Sequence, residues 1–293
     1  MKSGFVAVVG KPNVGKSSLV NRLVGSKVAI VSRKPQTTRN RVVAVVNLPS
    51  AQVIFIDTPG VHRPRHALGE YMVRTAREAM EEVDLILFVA DATRPGHEED
   101  QRAAAYLREV ATPCWLVLNK IDAVKPDARA RAEGVSRGLA EFQRVYAVSA
   151  LTGENVGGMV EGIASVLPEG PQYYPPDVRV DHPEEFLVAE IVREKLIELT
   201  REEVPHSVAV VVEDMNSREG RELVDISAVI LVERESQKGI VIGAGGHILR
   251  EVGTRARAEV ERLLGSQVNL RLWVKVREKW RDDPSMLSRL GYK

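Results

Sequence analysis

Residues 5–24 read FVAVVGKPNVGKSSLVNRLV: an apolar run, a glycine-rich turn, and a segment with helical spacing of apolar residues. The turn, Gly10–Ser17, fits the pattern G-x-x-x-x-G-K-[S/T] between a strand and a helix, the context in which this pattern is informative. The backbone N–H groups of such a turn wrap phosphates, and the helix N-terminus adds positive potential. A glycine-rich turn without a ligand is the alternative. The stretch predicts a phosphate-binding loop at the end of a core strand.

Two side chains of this loop are expected to bind the phosphates of a nucleotide and its metal ion. Lys16 would reach the β- and γ-phosphates and contribute to catalysis, and the Ser17 hydroxyl would bind Mg²⁺. The other loop residues are candidate nucleotide contacts: Gly10, Lys11, Pro12, Asn13, Val14 and Gly15. The loop therefore predicts a protein that binds a nucleoside triphosphate together with Mg²⁺.

Short β-branched runs alternate with amphipathic segments through residues 1–170. The expected strands are Phe5–Val9, Arg41–Asn47, Val53–Ile56, Leu85–Ala90, Trp115–Asn119 and Val145–Ser149. The expected helices are Ser17–Val24, Leu68–Glu81, Glu98–Glu109 and Arg129–Phe142. This alternation predicts an α/β domain: a mostly parallel sheet with helices on both faces, and ligands at the carboxyl ends of the strands.

A second motif, Asp57-Thr58-Pro59-Gly60, follows an apolar strand, so its carboxylate can face a metal ion. We expect Asp57 to hold Mg²⁺ through water and the Gly60 N–H to sense the γ-phosphate. Thr58, Pro59 and the following Val61 are further candidate contacts. Asp-x-x-Gly alone is a common turn. It becomes informative here because it stands where the phosphate loop requires a partner.

Two further strand ends resemble the segments that read guanine in GTPases. Asn119, Lys120, Ile121 and Asp122 follow one strand, and Ser149 and Ala150 follow the next. The Asp122 carboxylate would accept from the N1–H and the exocyclic amine of guanine, Asn119 would support the loop and meet the other edge of the base, and the Ala150 N–H would donate to O6. Adenine lacks that donor pair, and a buried carboxylate without a partner is costly. The motifs in this order therefore predict GTP or GDP as the ligand.

The proline-rich stretch PEGPQYYPP at residues 168–176 interrupts helix and strand, so we place a domain boundary there. The predicted limits are 1–170 for the nucleotide-binding domain, 171–183 for a linker, and 184–293 for a second domain with a C-terminal tail. The second domain is expected to contain a helix at Pro183–Thr200, β-rich stretches at Ser207–Glu213 and Leu223–Glu233, a hairpin turn at Asn216–Gly220, the segment Gln237–Ile242, a helix at Gly246–Leu264 and a strand at Gln267–Val276.

The segments GKPNVGKSS, QTTRNR, DTPGVH and NKID, with SQKGIVIGAGG and LWVKVREKW in the second half, resemble the Era family of bacterial ribosome-assembly GTPases over nearly the full length. The resemblance implies a P-loop GTPase domain followed by an α+β type II KH RNA-binding domain. It implies a monomer that hydrolyses GTP slowly with Mg²⁺, binds the 3′ end of 16S rRNA and assists maturation of the 30S subunit precursor. It also implies peripheral association at the inner face of the cell membrane. The cytoplasmic location is expected from the residues, because the one cysteine fits a reducing compartment and no stretch resembles a signal peptide or a membrane span.

The resemblance assigns a third Mg²⁺ ligand in the polar segment at residues 36–40. In similar GTPases the threonine directly before an arginine closes over the metal ion and the γ-phosphate, which selects Thr38 over Thr37. A solvated loop is the alternative. Thr38 and Gly60 join Lys16 as the expected catalytic residues.

Hydrolysis without a partner is expected to be slow, because Val61 occupies the place where many GTPases carry a water-orienting glutamine. His62 follows, and we expect it at the surface. In related GTPases with a hydrophobic residue at this place, an asparagine equivalent to Asn13 helps to hold K⁺, so the resemblance implies stimulation by potassium. The alternative is that Asn13 only forms the turn.

The RNA site implied by the resemblance is a G-x-x-G loop, which in KH domains clamps about four nucleotides. Its expected residues are Lys238, Ile242, Gly243, Ala244, Gly245, Gly246, Arg250 and Lys275. Ala244 stands where similar sequences usually carry a basic residue, which removes one expected phosphate contact. The alternative is two helices with glycine caps and a solvated face, because Glu251, Glu259 and Glu261 dilute the positive charge.

Composition and motifs together leave three possible functions for the chain. Lys+Arg 41 against Asp+Glu 40 gives a net charge of +1, so a nucleic-acid or membrane role requires a local patch. The single cysteine, Cys114, excludes an internal disulfide and is expected to be a buried, inert thiol. Besides an RNA-binding GTPase, the alternatives are a GTPase with another target whose C-terminal half binds protein, and an RNA-binding scaffold with a degenerate nucleotide site. The complete nucleotide motifs disfavour the scaffold, and the G-x-x-G loop disfavours the protein-binding module.

Overall fold

The structure, a computed structural model, describes residues 1–32, 34, 36–201, 203–218 and 222–292. The chain divides into two compact units. The first comprises Met1–Arg65 and Gly69–Asp181, and the second comprises His66–Leu68 and His182–Lys293. In the described part of the chain, no helix combines the length and apolarity that crossing a bilayer requires.

The first unit is built on a six-stranded sheet with the order β2-β3-β1-β4-β5-β6. Its strands are β1 Lys2–Val9, β2 Val42–Asn47, β3 Ala51–Asp57, β4 Leu85–Asp91, β5 Cys114–Asn119 and β6 Arg144–Ala147. Strand β2 runs antiparallel to β3, and the other pairings are parallel, as predicted. Because carboxyl ends of parallel strands share one edge of a sheet, Gly10, Asp57 and Asn119 come together at that edge.

Helices cover both faces of this sheet. They are α1 Lys16–Val24, α2 Ala67–Glu81, α3 Glu98–Ala105, α4 Pro126–Arg137 and α5 Val156–Val166. Alternate residues of β1 belong to different apolar clusters, Val8 with Leu19 of α1 and Ile163 of α5, and Ala7 with Met80 of α2. This follows from the two-residue period of a strand, and it buries the sheet on both sides.

Two helices differ from the sequence prediction. The helix expected at Arg129–Phe142 begins at Pro126 and ends at Arg137, before Gly138. Helix α5 was not expected, because its glycines lower helix propensity. One of them, Gly162, packs closely against Tyr146: a Cβ there would lie 2.1 Å from the Tyr146 hydroxyl, so a larger residue would displace that side chain. Tertiary contact therefore decides this helix against its local propensity.

The proline-rich stretch after α5 lies along the β2–β3 side of the sheet. The buried Gln52 Oε1 accepts from the N–H groups of Tyr173 and Tyr174 at 2.8 and 3.0 Å. Farther along, the Val45 N–H donates to the Arg179 carbonyl at 2.9 Å. The Val45 bond satisfies a backbone group of the edge strand β2 that would otherwise face solvent.

The second unit packs helices on one face of a three-stranded sheet with the order β7-β8-β9. Its elements are α6 Glu184–Leu199, α7 Val204–Ser207, β7 Ala209–Ser217, β8 Leu223–Val232, α8 Glu235–Ile242, α9 His247–Leu264, β9 Gln267–Val276 and α10 Pro284–Arg289. Strand β8 pairs antiparallel with β7 and parallel with β9. The hairpin turn expected at Asn216–Gly220 falls partly on Glu219 and Gly220, which lie outside the described residues.

The chain end of this unit is folded. The Trp280 side chain is fully buried, and its Nε1–H donates to the Ser207 carbonyl at 2.9 Å. Asp283 accepts from the Ser285 and Met286 N–H groups and so caps α10, with Leu287 and Tyr292 buried behind it. The sequence predicted a tail here, because the helix is too short to show a period.

Candidate functional site

The glycine-rich loop Gly10–Ser17 joins β1 to α1. Its backbone requires two left-handed residues, Asn13 with φ 63° and Gly15 with φ 96°. A Cβ at Gly15 would lie 2.3 Å from the Asn119 amide nitrogen, so no larger residue fits. The loop is therefore held against the predicted base-reading strand end, as a single nucleotide pocket requires.

Lys16 is folded back into the loop that contains it. Its Nζ donates to the carbonyls of Gly10 at 3.1 Å and Lys11 at 2.9 Å. Burial lowers the pKa of Lys16 to about 8, although the nearby Asp57 carboxylate opposes this shift. An ammonium group held in this way lies where the loop can present it to phosphate oxygens.

The three predicted metal ligands converge on one point. The Ser17 hydroxyl donates to Asp57 Oδ2 at 2.6 Å and lies 2.8 Å from Thr38 Oγ1, which is 3.4 Å from the same Oδ2. Thr37 instead donates its hydroxyl to the Lys34 carbonyl at 2.8 Å. The structure thus brings Thr38, and not Thr37, to Ser17 and Asp57.

The oxygen cluster suits a hard divalent cation. Asp57 is fully buried, and its Oδ1 finds no hydrogen-bond partner among the described residues. Burial raises the pKa of Asp57 to about 6, against the opposing effects of Lys16, Ser17 and Thr38. Carboxylate and hydroxyl oxygens with room for phosphate and water are what Mg²⁺ prefers. The described residues contain no cluster of three or more His, Cys, Asp and Glu that could hold another metal.

The side chain of Lys11 does not face the nucleotide pocket. Its Nζ donates to Asp100 Oδ2 at 2.6 Å and to the Arg94 carbonyl at 3.1 Å, and both charged side chains are buried. Only the Lys11 backbone remains for a nucleotide. The partner Asp100 was missed in the sequence because it lies in α3, far along the chain, where it also accepts from the His97 N–H.

The Asp-x-x-Gly segment is fixed to the phosphate loop. The Thr58 hydroxyl donates to the Val8 carbonyl at 2.8 Å, and the Val61 N–H donates to the Gly10 carbonyl at 3.1 Å. The Val61 side chain is buried in the core. His62 was expected at the surface, which is wrong: it is 6% exposed, and its Nδ1–H donates to the Gly60 carbonyl at 2.8 Å.

Asn119 braces three segments of the base-reading site. Its amide nitrogen donates to the Val14 carbonyl and its Oδ1 accepts from the Ala150 N–H, both at 2.9 Å. The sequence interpretation gave the Ala150 N–H to guanine O6, whereas here that group is bonded to Asn119. A guanine would have to share or take over this donor.

Two further side chains complete this region. Asp122 is exposed, and its Oδ1 accepts from the Ser149 hydroxyl at 2.6 Å, which points a carboxylate toward solvent at the pocket edge. Lys120 donates to the Asn13 carbonyl and to Asp91 Oδ2, both at 2.6 Å. Asp91 was not predicted, although its place at the carboxyl end of a buried strand is a signal that could have found it.

The G-x-x-G loop joins α8 to α9 in the second unit. Gly243, Gly245 and Gly246 all have positive φ, and the Arg250 guanidinium approaches the Gly245 carbonyl at 3.5 Å. Ala244 is exposed at the loop tip. A groove beside the loop is lined by Gly246, Leu249, Arg250, Gly253, Leu270 and Leu272, from α9 and β9.

Three other RNA candidates have different surroundings. Lys238 is 4.0 Å from Glu235 on α8, and Ile242 is half-buried at the helix end. Lys275 lies on β9 with its Nζ 3.1 Å from Glu213 of β7, while its neighbours Val274 and Val276 pack in the core. Because strand side chains alternate, Lys275 is on the face of the sheet opposite the helices.

Known proteins share this arrangement over the whole chain. A family model described as "50S ribosome-binding GTPase" matches residues 5–120, and a "KH domain" model matches residues 203–281. GTPase Era from Carboxydothermus hydrogenoformans is 52% identical over 292 residues, which cover 99% of this chain and 98% of the relative. The chain belongs to the Era family of GTPases. GTPase Era from Alkaliphilus metalliredigens is 47% identical over 291 residues, covering 99% of each chain.

Solved Era structures extend the similarity to three dimensions. Era from Aquifex aeolicus, as a variant bound to GDP·AlF₄⁻, superimposes with a TM-score of 0.96 at 42% identity, covering 100% of this chain and 99% of the other. Era in complex with MgGDPNP and nucleotides 1506–1542 of 16S ribosomal RNA gives a TM-score of 0.96 at 43% identity with the same coverage. The predicted GTPase domain followed by a KH domain is confirmed. The KH match gives no support to a protein-binding module in the second half.

Proposed function

We propose that this Era-family GTPase binds GTP with Mg²⁺, binds the 3′ end of 16S rRNA, and assists maturation of the 30S subunit precursor in the cytoplasm. The observation that carries the proposal is the oxygen cluster of Ser17, Thr38 and Asp57 in a chain that also has an exposed G-x-x-G loop. The Era structure at 43% identity is a complex with MgGDPNP and 16S ribosomal RNA, which supports both the nucleotide-binding and the RNA-binding part of the proposal. Domain limits of 1–170 and 184–293, a monomeric state and membrane-surface association belong to the same proposal.

The chain would promote hydrolysis by position and charge. Lys16 binds the β- and γ-phosphates, and the Gly60 N–H contacts the γ-phosphate, so both stabilise charge as it shifts in the transition state. Ser17, Thr38 and Asp57 would hold Mg²⁺, which neutralises phosphate charge when bound. The Val61 side chain can neither donate nor accept a hydrogen bond and is buried, so no side chain at this place orients water. The intrinsic rate is therefore slow, and a partner raises it.

RNA from the 3′ end of 16S rRNA should stimulate GTP turnover, and a scrambled RNA should not. Substituting Ala244→Asp with Gly245→Asp places two negative charges at the exposed loop tip, where they repel the RNA backbone. We expect RNA affinity to fall at least about tenfold and the RNA-dependent stimulation to disappear, since each charge acts at close range. Basal turnover should be unchanged. Equilibrium binding and steady-state GTP hydrolysis measure the two quantities.

The matched control is Ala244→Asn with Gly245→Asn, because asparagine has the shape of aspartate without its charge and tolerates the positive φ at Gly245. The control should bind RNA far better than the aspartate variant. Equal RNA affinity of the aspartate variant and the unmodified chain would refute the clamp. Turnover indifferent to RNA, with no RNA binding, would instead favour a GTPase with a different target.

Potassium should raise GTP turnover relative to sodium at equal ionic strength, as expected if Asn13 helps to hold K⁺. The left-handed backbone at Asn13 makes Asn13→Gly the better test, because glycine keeps that conformation and removes only the side chain. We expect about a tenfold potassium effect in the unmodified chain and none in the glycine variant. If the effect persists in Asn13→Gly, Asn13 is only a turn former. Equal rates in both salts would exclude the ion.

A further inference from the structure

Strand β9 and the residue that follows it present a row of cationic side chains with one tryptophan among them, on the side away from the helices. Its members, Arg271, Trp273, Lys275 and Arg277, are all exposed, and we refer to them as the β9 stripe. The intervening residues Leu272, Val274 and Val276 pack in the apolar core of the second unit. The stripe and the groove beside the G-x-x-G loop therefore use opposite sides of one strand.

Trp273 is unlike the other tryptophans of the chain. Its side chain is 58% exposed, whereas Trp115 and Trp280 are 1% and 0% exposed. In the sheet register it stands beside Val229 of β8, which is only 2% exposed. A large exposed indole on the edge strand, beside a buried apolar neighbour, offers a flat surface on which an unpaired base can stack.

The charges around Trp273 favour a polyanion. Arg271 makes no ion pair within the described ranges, and Lys275 pairs only with the exposed Glu213. Arg277 lies 3.4 Å from Asp283, again near the surface. Such exposed pairs are weak and readily exchanged for phosphate contacts. The carboxylate facing this side from β8, Asp225, is bound by Arg218 and Asn269 and also attracts Arg271 electrostatically, without a direct ion pair.

The position of β9 allows one RNA strand to reach both sides. Strand β9 is the last in the order β7-β8-β9, so no further strand covers its outer edge within the described sheet. A G-x-x-G loop holds about four nucleotides. RNA that continues past the groove needs only to cross this edge to meet the stripe.

We infer that the β9 stripe is a second RNA contact, in which Trp273 stacks on an unpaired base and Arg271, Lys275 and Arg277 bind the flanking phosphates. The inference rests on the proposed RNA-binding function and extends it to longer single strands. We take single-stranded RNA as the ligand, because an aromatic stacking surface flanked by cations matches the alternation of bases and phosphates along the strand.

The test compares two RNAs, one of about four nucleotides and one spanning nucleotides 1506–1542 of 16S rRNA, on the full chain. Trp273→Ala should weaken binding of the long RNA about tenfold and leave the short RNA unaffected. Trp273→Phe should restore most of the affinity, since phenylalanine also stacks. Leu263→Ala, which removes another exposed apolar side chain of this unit, should change nothing. Arg271→Ala should weaken long-RNA binding and make it less dependent on salt.

Intrinsic fluorescence gives an independent readout, because Trp273 is the exposed tryptophan. The long RNA should protect its emission from acrylamide, and the short RNA should not. Equal long-RNA affinity of Trp273→Ala and the unmodified chain, with no protection, overturns the inference and leaves the stripe for an acidic protein. In that case, loss of long-RNA binding in the Ala244→Asp and Gly245→Asp variant would show that the proposed RNA-binding function stands without the stripe. An unmodified chain that binds neither RNA overturns both.

Discussion

Lys16→Ala is expected to reduce GTP hydrolysis at saturating nucleotide at least about a hundredfold, the loss typical of removing one donor to the developing charge. The amine lies inside the loop, where it donates to the Gly10 and Lys11 carbonyls. Alanine leaves the phosphate oxygens without it, and the two other lysines near the loop are engaged elsewhere, Lys11 with Asp100 and Lys120 with Asp91. Single-turnover hydrolysis with Mg²⁺ present measures the loss directly.

The control for this variant is Lys125→Ala, which removes an exposed lysine after the base-reading segment and should leave the rate unchanged. Circular dichroism and thermal unfolding must show that Lys16→Ala is folded. A folded variant that hydrolyses GTP within a few-fold of the unmodified rate would exclude Lys16 from the phosphate site.

Asp122→Asn is expected to exchange guanine for xanthine nucleotides. A carboxylate accepts two hydrogen bonds from guanine, each contributing about 1.5–3 kcal/mol, so GTP affinity should fall about a hundredfold or more. The asparagine amide instead donates to the xanthine carbonyl that replaces the exocyclic amine. The Ser149 hydroxyl, now 2.6 Å from Asp122 Oδ1, can still donate to the amide oxygen and keep the side chain in place.

Competition binding of GTP and xanthosine triphosphate measures the exchange. Asp127→Asn serves as the matched control, because it makes the same chemical change at an exposed position at the start of α4. That variant should keep the GTP preference. Unaltered GTP selectivity in Asp122→Asn would mean that guanine is read by backbone groups or by another side chain.

Local patterns carried most of the fold prediction. The phosphate loop is contiguous in the chain. Its strand, its glycine spacing and its helix can all be predicted from residues 5–24, because the structure of such a loop depends on residues close together in sequence. Strands buried on both faces show as apolar runs, so β1 to β5 were found with small errors at their ends. Helix α5 was missed because its glycines lower the local helix propensity, whereas burial of Val156, Met159 and Ile163 in the core supports the helix.

The candidate site, like the fold, could be predicted only in part from the sequence. The sequence identified Ser17, Thr38 and Asp57 individually, but Thr38 was chosen by resemblance, since nothing local separates it from Thr37. Folding makes the distinction by turning the Thr37 hydroxyl to a nearby carbonyl and the Thr38 hydroxyl to Ser17. His62 was misplaced for a related reason: its burial depends on the chain that surrounds it.

By itself, the sequence determined that this chain has a nucleotide-binding α/β unit, a second unit with a G-x-x-G loop, and the residue types of both sites. These properties follow from short-range spacing and from the period of apolar residues. Only the tertiary structure decided which side chains remain for a ligand. It bonded Lys11 to Asp100 and gave the Ala150 N–H to Asn119. Each of these is settled by partners distant in the chain, because a buried charge or N–H must find a partner wherever the fold supplies one.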